Sequence, residues 1–480
     1  MTKPEGPGLP VSDEVEVTVE KLIAGGDGLA RYQGIPLLIP RSAPGDRLRV
    51  RIVERHRDYG RAEIEEVLEP GPGRREPPCP FFARCGGCDL QHLADELQSR
   101  LKVQAAAETL ERFSRGKLPP SVRLETGAAW GYRLRTQLHV EPAGDRKVVG
   151  YRARKSHQLV AVDRCPVLVP ELERELPHLA SVLGSEAPRR LDLAAGNPGQ
   201  LTVSPPLPGL PSGEVELEVG GLTYAYDARV FFQTHRELLP RLVESVVGGD
   251  RGEAAYDLYS GAGLFGLALA RRYRRVVMVE GDRVAVRFAR ANARRNQLES
   301  VEVVAQAVES WVSALPPLAE RVVVDPPRAG LSLAVRKALL EKLPRRLTYV
   351  SCHPASLARD LAALGKLYRV DSVVFVDLFP QTGHLETVVQ LSTEAPLPEP
   401  PEREAAADRE RRDSFRRSGR PEGRPQGRAR GPAREEPRPR RPQPPGAGER
   451  PRGPAGRPEG GGVRRGGPQG GGAPRRRGPR

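Results

Sequence analysis

Cysteine is scarce in this chain: five in 480 residues, at positions 79, 85, 88, 165 and 352. An odd number, three of them clustered, argues against a disulfide framework and for a reducing compartment with metal-binding or reactive thiols. Long apolar runs are missing too. No stretch of about 18 apolar residues occurs, and none follows the opening MTKPEGPGLP, so neither a membrane span nor a secretory leader is expected. A soluble, cytoplasmic protein is the reading that remains. Lysine is absent beyond residue 400, where 23 arginines face 10 acidic residues. That stretch carries +13 of the formal net charge of +15, which leaves residues 1–400 near +2. Residues 394–480 have almost no apolar side chains to offset the entropy of ordering, and disorder is predicted there. Their arginines and glycines suit RNA phosphates regardless of sequence, or serve only to keep the chain in solution.

What is present falls into segments, and the length suggests two to four domains. Residues 10–70 alternate with period two in VEVTV and LRVRIV, broken by GGDG and APGD turns, which predicts a small OB-like β-barrel. A Pro/Gly linker then leads into CPFFARCGGC and a helix, with Asp89 as its expected cap and Leu90, Leu93, Leu97 and Leu101 at helical spacing. Residues 75–220 are expected to form a central domain, mixed β-structure beyond that helix. In residues 221–393 continuous apolar strands alternate with amphipathic helices, which predicts an α/β Rossmann-like domain with a parallel sheet covered on both faces. Ligands of such sheets lie at the C-terminal ends of the strands.

Four strand ends carry chemistry. DLYSGAGLFG places Gly261, Gly263 and Gly266 after the first strand, and Glu280 ends the next, where a carboxylate can accept both hydroxyls of a ribose. This pattern suits either a dinucleotide or S-adenosylmethionine. Asp325 ends the strand of VVVDPPRAG, and the two prolines fix a stiff, extended turn after it, typical of nucleic-acid methyltransferases. Cys352 ends the strand of YVSCHP, just before a helix whose N-terminus would favour a thiolate by roughly 0.3–1 kcal/mol. Taken alone, a strand-end cysteine is more often packing. Pyrimidine C5 chemistry gives it a use, because a thiolate adding at C6 makes C5 nucleophilic enough to accept a methyl group. The C5 proton must then leave, and FPQTGHLETVV supplies a base in Glu386, with His384 two residues before it.

In this order, FFQTH, DLYSGAGLFGL, VEGD, ANARRN, VVVDPPRAG, YVSCHPASLARDL and DLFPQTGHLETVV resemble the RNA (uracil-5-)-methyltransferases. The likeness spans residues 13–392, with the first segment resembling a TRAM domain. It implies a class I methyltransferase domain, Cys352 as the C6 nucleophile and Glu386 as the C5 base. It also implies Gln233, Tyr259, Gly261, Glu280 and Asp325 as S-adenosyl-L-methionine-binding positions. Ser260 stands where the family often has Cys, His235 and His353 where it has Asn, and Ala307 at a usually polar cofactor position.

On ligand count alone, Cys79, Cys85, Cys88 and Cys165 suit zinc or an iron–sulfur cluster equally. The string PCPFFARCGGCDLQH and the CPV at Cys165 resemble the [4Fe-4S] site of the ribosomal-RNA members. That favours iron–sulfur over zinc and 23S ribosomal RNA over tRNA as substrate. Arg133 and Arg135 are candidate RNA contacts by charge. A cytosine-5 RNA methyltransferase would want a second active-site cysteine, and an amine methyltransferase would want an aromatic residue where Arg328 stands. A non-enzymatic RNA-binding protein with a degenerate methylase domain would bind no S-adenosylmethionine.

Overall fold

A computed structural model of the chain describes residues 12–114, 122–144, 146–184 and 186–393; the arginine-rich tail lies outside them. Glu14–Leu22, Gly28–Tyr32, Ile35–Ile39, Arg47–Arg55 and Gly60–Glu69 close into a five-stranded barrel. The alternation read from the sequence does the sorting. Val15, Val17, Val19, Leu48, Val50 and Ile52 fill the interior, while Arg47, Arg49 and Arg51 point outward and pair with Glu16, Glu69, Glu66, Glu63 and Glu65. Such exposed pairs are worth at most about 1 kcal/mol each; burial and closure, which leaves no free edge, hold the barrel together.

The predicted α/β sheet has eight strands. Gly252–Leu258 lies in its middle, flanked by Tyr273–Glu280 and then Val301–Ala305 on one side, and by Arg321–Val324 and then Arg346–Ser351 on the other. These five are mutually parallel. Successive side chains leave on opposite faces, so Val276 and Met278 join one core while Val277 and Val279 join the other. The last strand, Glu386–Thr393, runs antiparallel and inserts between Arg346–Ser351 and the earlier Tyr368–Val376. No helix among the described residues is long and apolar enough to cross a membrane.

Segment 75–220 is divided between layers. Strand Val122–Glu125 pairs with Tyr368–Val376 as the edge of the α/β sheet. Helix Asp95–Ser114 packs on helix Pro354–Leu364, with Ala106 and Leu110 in the same apolar core as Leu357 and Leu361. Five further strands form an antiparallel sheet, ordered Leu201–Ser204, Arg190–Ala195, Arg135–Ala143, Arg146–Arg152, Leu159–Ala161, while Val215–Val219 pairs with Leu222–Tyr226 in a separate ribbon. Leu138 and Leu191 of that sheet, with Leu134 just before it, share one core with Phe288 and Met278 of the α/β layer. The leucine spacing also needs correction. The helix starts at Asp95, not after Asp89. Leu90 and Leu93 precede it and are buried with Leu22 and Ala43 under the barrel. Asp89 caps nothing, because its carboxylate accepts from Gly383 N–H at 3.1 Å and pairs with Arg154 at 2.7 Å.

Candidate active site

Strand register brings the predicted residues to one edge. Val324 pairs with Tyr349 and Leu258 with Val324, so Tyr259, Asp325 and Cys352 leave the sheet at the same end. The reversed strand does the rest. Thr387 pairs with Ser351 and Glu386 with Val376, which sets Glu386 beside the peptide that carries Cys352.

Cys352 is half-buried. The following helix is capped by His353, whose Nδ1 accepts the Ser356 N–H at 3.2 Å, and Pro354 occupies its first turn. Burial, then the charges of Glu386 and Asp325, push the thiol up to about 11, against the pull of Arg328. Asp325 is half-buried, and desolvation pushes it up to about 7, opposed by Gln233, whose Nε2 donates to Oδ2 at 3.4 Å. Glu386 is buried with Oε1 unpartnered among the described residues, and burial and Asp325 hold its carboxyl well above the usual range. Desolvation of both carboxyls, and the charge of Asp325 on Glu386, favour a protonated form in this pair. The cation acting on Cys352 and Glu386 is Arg328, three residues past Asp325. Its Nη2 lies 3.0 Å from His384 Nε2. Burial and Arg328 push His384 down to about 4, which leaves it a neutral acceptor.

The glycine turn sits beside this cluster. Tyr259, Gly261 and Gly263 have φ of 65°, 54° and 97°, and the chain reverses there into helix Leu264–Leu269. A side chain at Gly266 would place Cβ 2.3 Å from Met278 Sδ, so only glycine lets this helix approach the neighbouring strand. Glu280 is fixed at its strand end, Oε2 accepting Gly261 N–H at 2.8 Å and Oε1 accepting Asp282 N–H at 2.7 Å. Tyr259 donates its hydroxyl to Glu309 at 2.9 Å. Ala307 abuts Gly281 on the same rim.

Away from this edge, Cys79, Cys85, Cys88 and Cys165 line one cavity of about 140 Å³, with Gln91, Arg133 and Tyr151. Burial pushes Cys88 up to about 12 and Cys165 up to about 11. Gly87 N–H lies 3.4 Å from Cys85 Sγ. Among the described residues, no group of three or more His, Cys, Asp or Glu side chains is gathered as for a single metal ion.

Residues 317–394 match the tRNA (Uracil-5-)-methyltransferase family, 231–349 the Methyltransferase small domain and 11–64 the TRAM domain. An uncharacterized RNA methyltransferase of Protochlamydia amoebophila is 31% identical over 80% of this chain and 98% of its own length. The 23S rRNA (uracil(1939)-C(5))-methyltransferase RlmD of Pectobacterium atrosepticum is 34% identical over 78% and 92%. The chain belongs to the RNA (uracil-5-)-methyltransferase family. Among solved structures, the Pyrococcus abyssi tRNA (uracil-54, C5)-methyltransferase in complex with S-adenosyl-L-homocysteine superimposes with a TM-score of 0.61 at 26% identity, covering 78% of this chain and all of that one. Its ligand is what S-adenosylmethionine becomes after losing its methyl group.

For this uracil-5-methyltransferase the departures at histidine are accounted for by packing and capping. His235 is buried, stacked on Tyr132 with ring centroids 4.8 Å apart, and its Nε2 lies 3.1 Å from Ala128 O; His353 is the helix cap. Ser260 is buried, its hydroxyl without a partner among the described residues. The two arginines expected to grip RNA are otherwise engaged. Arg133 lines the cysteine cavity, and Arg135 donates to Ala228 O at 3.1 Å with its guanidinium 5.6 Å from the centroid of the exposed Phe231 ring. Sequence reasoning missed Arg328 as a member of the cluster around Cys352 and Glu386. A cation three residues after Asp325 was the available signal.

Proposed function

We propose that this uracil-5-methyltransferase methylates C5 of a uridine in 23S ribosomal RNA through a covalent bond between Cys352 and C6. The observation that carries the chemistry is the register of the reversed strand, which sets Glu386 beside Cys352 and Asp325 at one sheet edge. The ribosomal substrate is supported by the 23S enzymes among the relatives. Because Cys352 rests as a thiol, its proton leaves to solvent by way of the neighbouring carboxylates as the sulfur–C6 bond forms, so that Glu386 is ionised when its turn comes, and Arg328 stabilises the negative charge in the pocket. S-adenosylmethionine, when bound, supplies the methyl group to C5. Glu386 then takes the C5 proton, and the electron pair released at C5 expels the Cys352 thiolate from C6. Gln233, Tyr259, Gly261, Glu280 and Asp325 would hold the donor, Glu280 meeting its ribose with the lone pairs left free by the two backbone donors.

The four cysteines fit a [4Fe-4S] cluster better than zinc. They line a shared cavity instead of converging on a point, and Gly87 N–H and Tyr151 lie where they can donate to sulfur. Bound there, it would join the 79–88 loop to Cys165; the methyl transfer does not pass through it. Anaerobically purified protein should contain iron and acid-labile sulfide, and zinc without sulfide would refute this assignment.

The mechanism is tested with RNA containing 5-fluorouridine. Wild type should form a stable protein–RNA adduct and Cys352→Ala none, whereas an adduct in Cys352→Ala removes Cys352 from the reaction. Mapping 5-methyluridine in total RNA of a deletion strain tests the substrate: loss from tRNA instead of 23S RNA would refute the ribosomal assignment.

A further inference from the structure

The loop between Asp377 and Leu385, which delivers Glu386, is held from one side by a single helix. Asp95, Gln98, Ser99 and Lys102 recur at the spacing that puts them on one face of helix Asp95–Ser114, and all four bond to this loop. Gln381 Nε2 donates to Asp95 at 2.6 Å. Gln98 pairs with Gln381 in both directions, giving its Nε2 hydrogen to Gln381 Oε1 at 2.9 Å and accepting the Gln381 backbone N–H at 3.0 Å. Ser99 donates to Asp377 Oδ2 at 2.7 Å. Lys102 is buried, and its ammonium reaches Asp377 Oδ1 at 2.5 Å, Phe379 O at 3.1 Å and His384 O at 3.0 Å. Three donors meet three acceptors, at both ends of the loop, so one side chain fixes its span.

The apolar residues of the same helix face elsewhere. Ala106 and Leu110 pack in one core with Leu357 and Leu361 of helix Pro354–Leu364, which begins two residues after Cys352. The helix therefore touches the element that follows the nucleophile and the loop that precedes the base. Two further segments close the loop from outside. Asp89 and Leu90 give their N–H groups to Gln381 O at 2.8 and 3.0 Å. A Cβ on Gly383 would lie 2.2 Å from Gly25 O of the barrel.

We propose that helix Asp95–Ser114 sets the separation of nucleophile and base, with Gln98, Lys102 and Gln381 as positioning residues for proton removal from C5. The proposal rests on Glu386 being that base. Displacing a reacting group by about 1 Å costs on the order of 100-fold, so loosening the loop should slow the step Glu386 performs and spare the step Cys352 performs. In full-length Gln98→Ala and Gln381→Ala, adduct formation with 5-fluorouridine RNA should keep its wild-type rate. On ordinary RNA kcat should fall roughly 10- to 100-fold with KM unchanged, and the covalent intermediate should accumulate. Glu386→Gln serves as reference. If it accumulates the adduct while Gln98→Ala and Gln381→Ala turn over normally, the positioning role is wrong; if Glu386→Gln itself turns over normally, the underlying reading of the base is wrong. Lys102→Met checks for mere unfolding. Adduct accumulation below its melting transition supports the proposal, and a loss of both steps in proportion to unfolded protein overturns it.

Discussion

At the scale of single residues the site works with groups held far from their ordinary protonation. Asp325 titrates near 7 in the fold because burial disfavours its charge. The folded chain therefore holds this proton more tightly than the unfolded chain. The stability it contributes is complete below the unfolded value near 4 and is lost as pH rises toward 7. Asp325→Asn should consequently melt higher than wild type at pH 8, on the order of a few kcal/mol more stable, with little difference at pH 4; calorimetry at the two pH values measures it. Cys352 gives a second expectation. With its thiol near 11, the thiolate fraction grows about tenfold per pH unit, so adduct formation on 5-fluorouridine RNA should climb steadily from pH 6 to 9. Arg328→Gln removes the cation that lowers both Cys352 and Glu386. It should slow that adduct on the order of tenfold, about 1.4 kcal/mol, measured by gel shift under denaturing conditions. Cys352, Asp325 and Glu386 were legible in the sequence because each ends or starts an apolar strand. Arg328 was not, because its influence depends on where a strand some 60 residues later returns.

At the scale of elements, the period-two barrel and the alternation of strands and helices were readable, since burial on one or both faces writes itself into local pattern. The helix near the cysteines was legible only in kind. Of the four leucines read as its stripe only Leu97 and Leu101 lie in it, Leu90 and Leu93 serve the barrel's underside, and the role of Asp95, Gln98, Ser99 and Lys102 was not read at all. Only contacts across more than 270 positions turn these side chains inward. The close approach of Gly383 to Gly25 predicts a further result. Gly383→Ala must push the barrel turn or the loop aside, and overpacking of this kind costs about 1–3 kcal/mol. Thermal unfolding should register that loss.

At the scale of the whole molecule, charge is divided more sharply than structure. Residues 1–400 are nearly neutral while the segment beyond holds +13, and on the barrel Arg47, Arg49 and Arg51 already have glutamate partners. Deleting residues 396–480, outside the described structure, should weaken RNA affinity most at low salt and flatten its salt dependence, as filter binding across ionic strengths would show; uridine choice should be retained. How residues 75–220 are shared between two layers was not legible, because the pairing of Val122–Glu125 and the docking of the helix before it are decided by partners near the far end of the fold. The position of Glu386–Thr393 carries a consequence for synthesis. A strand threaded between two earlier ones leaves both neighbours with bare edges until it emerges from the ribosome. The growing polypeptide is thus without Glu386, and with an open seam in its sheet, until translation has passed residue 393; the 87 residues that follow give that strand room to clear the ribosome and close the seam before the chain is released.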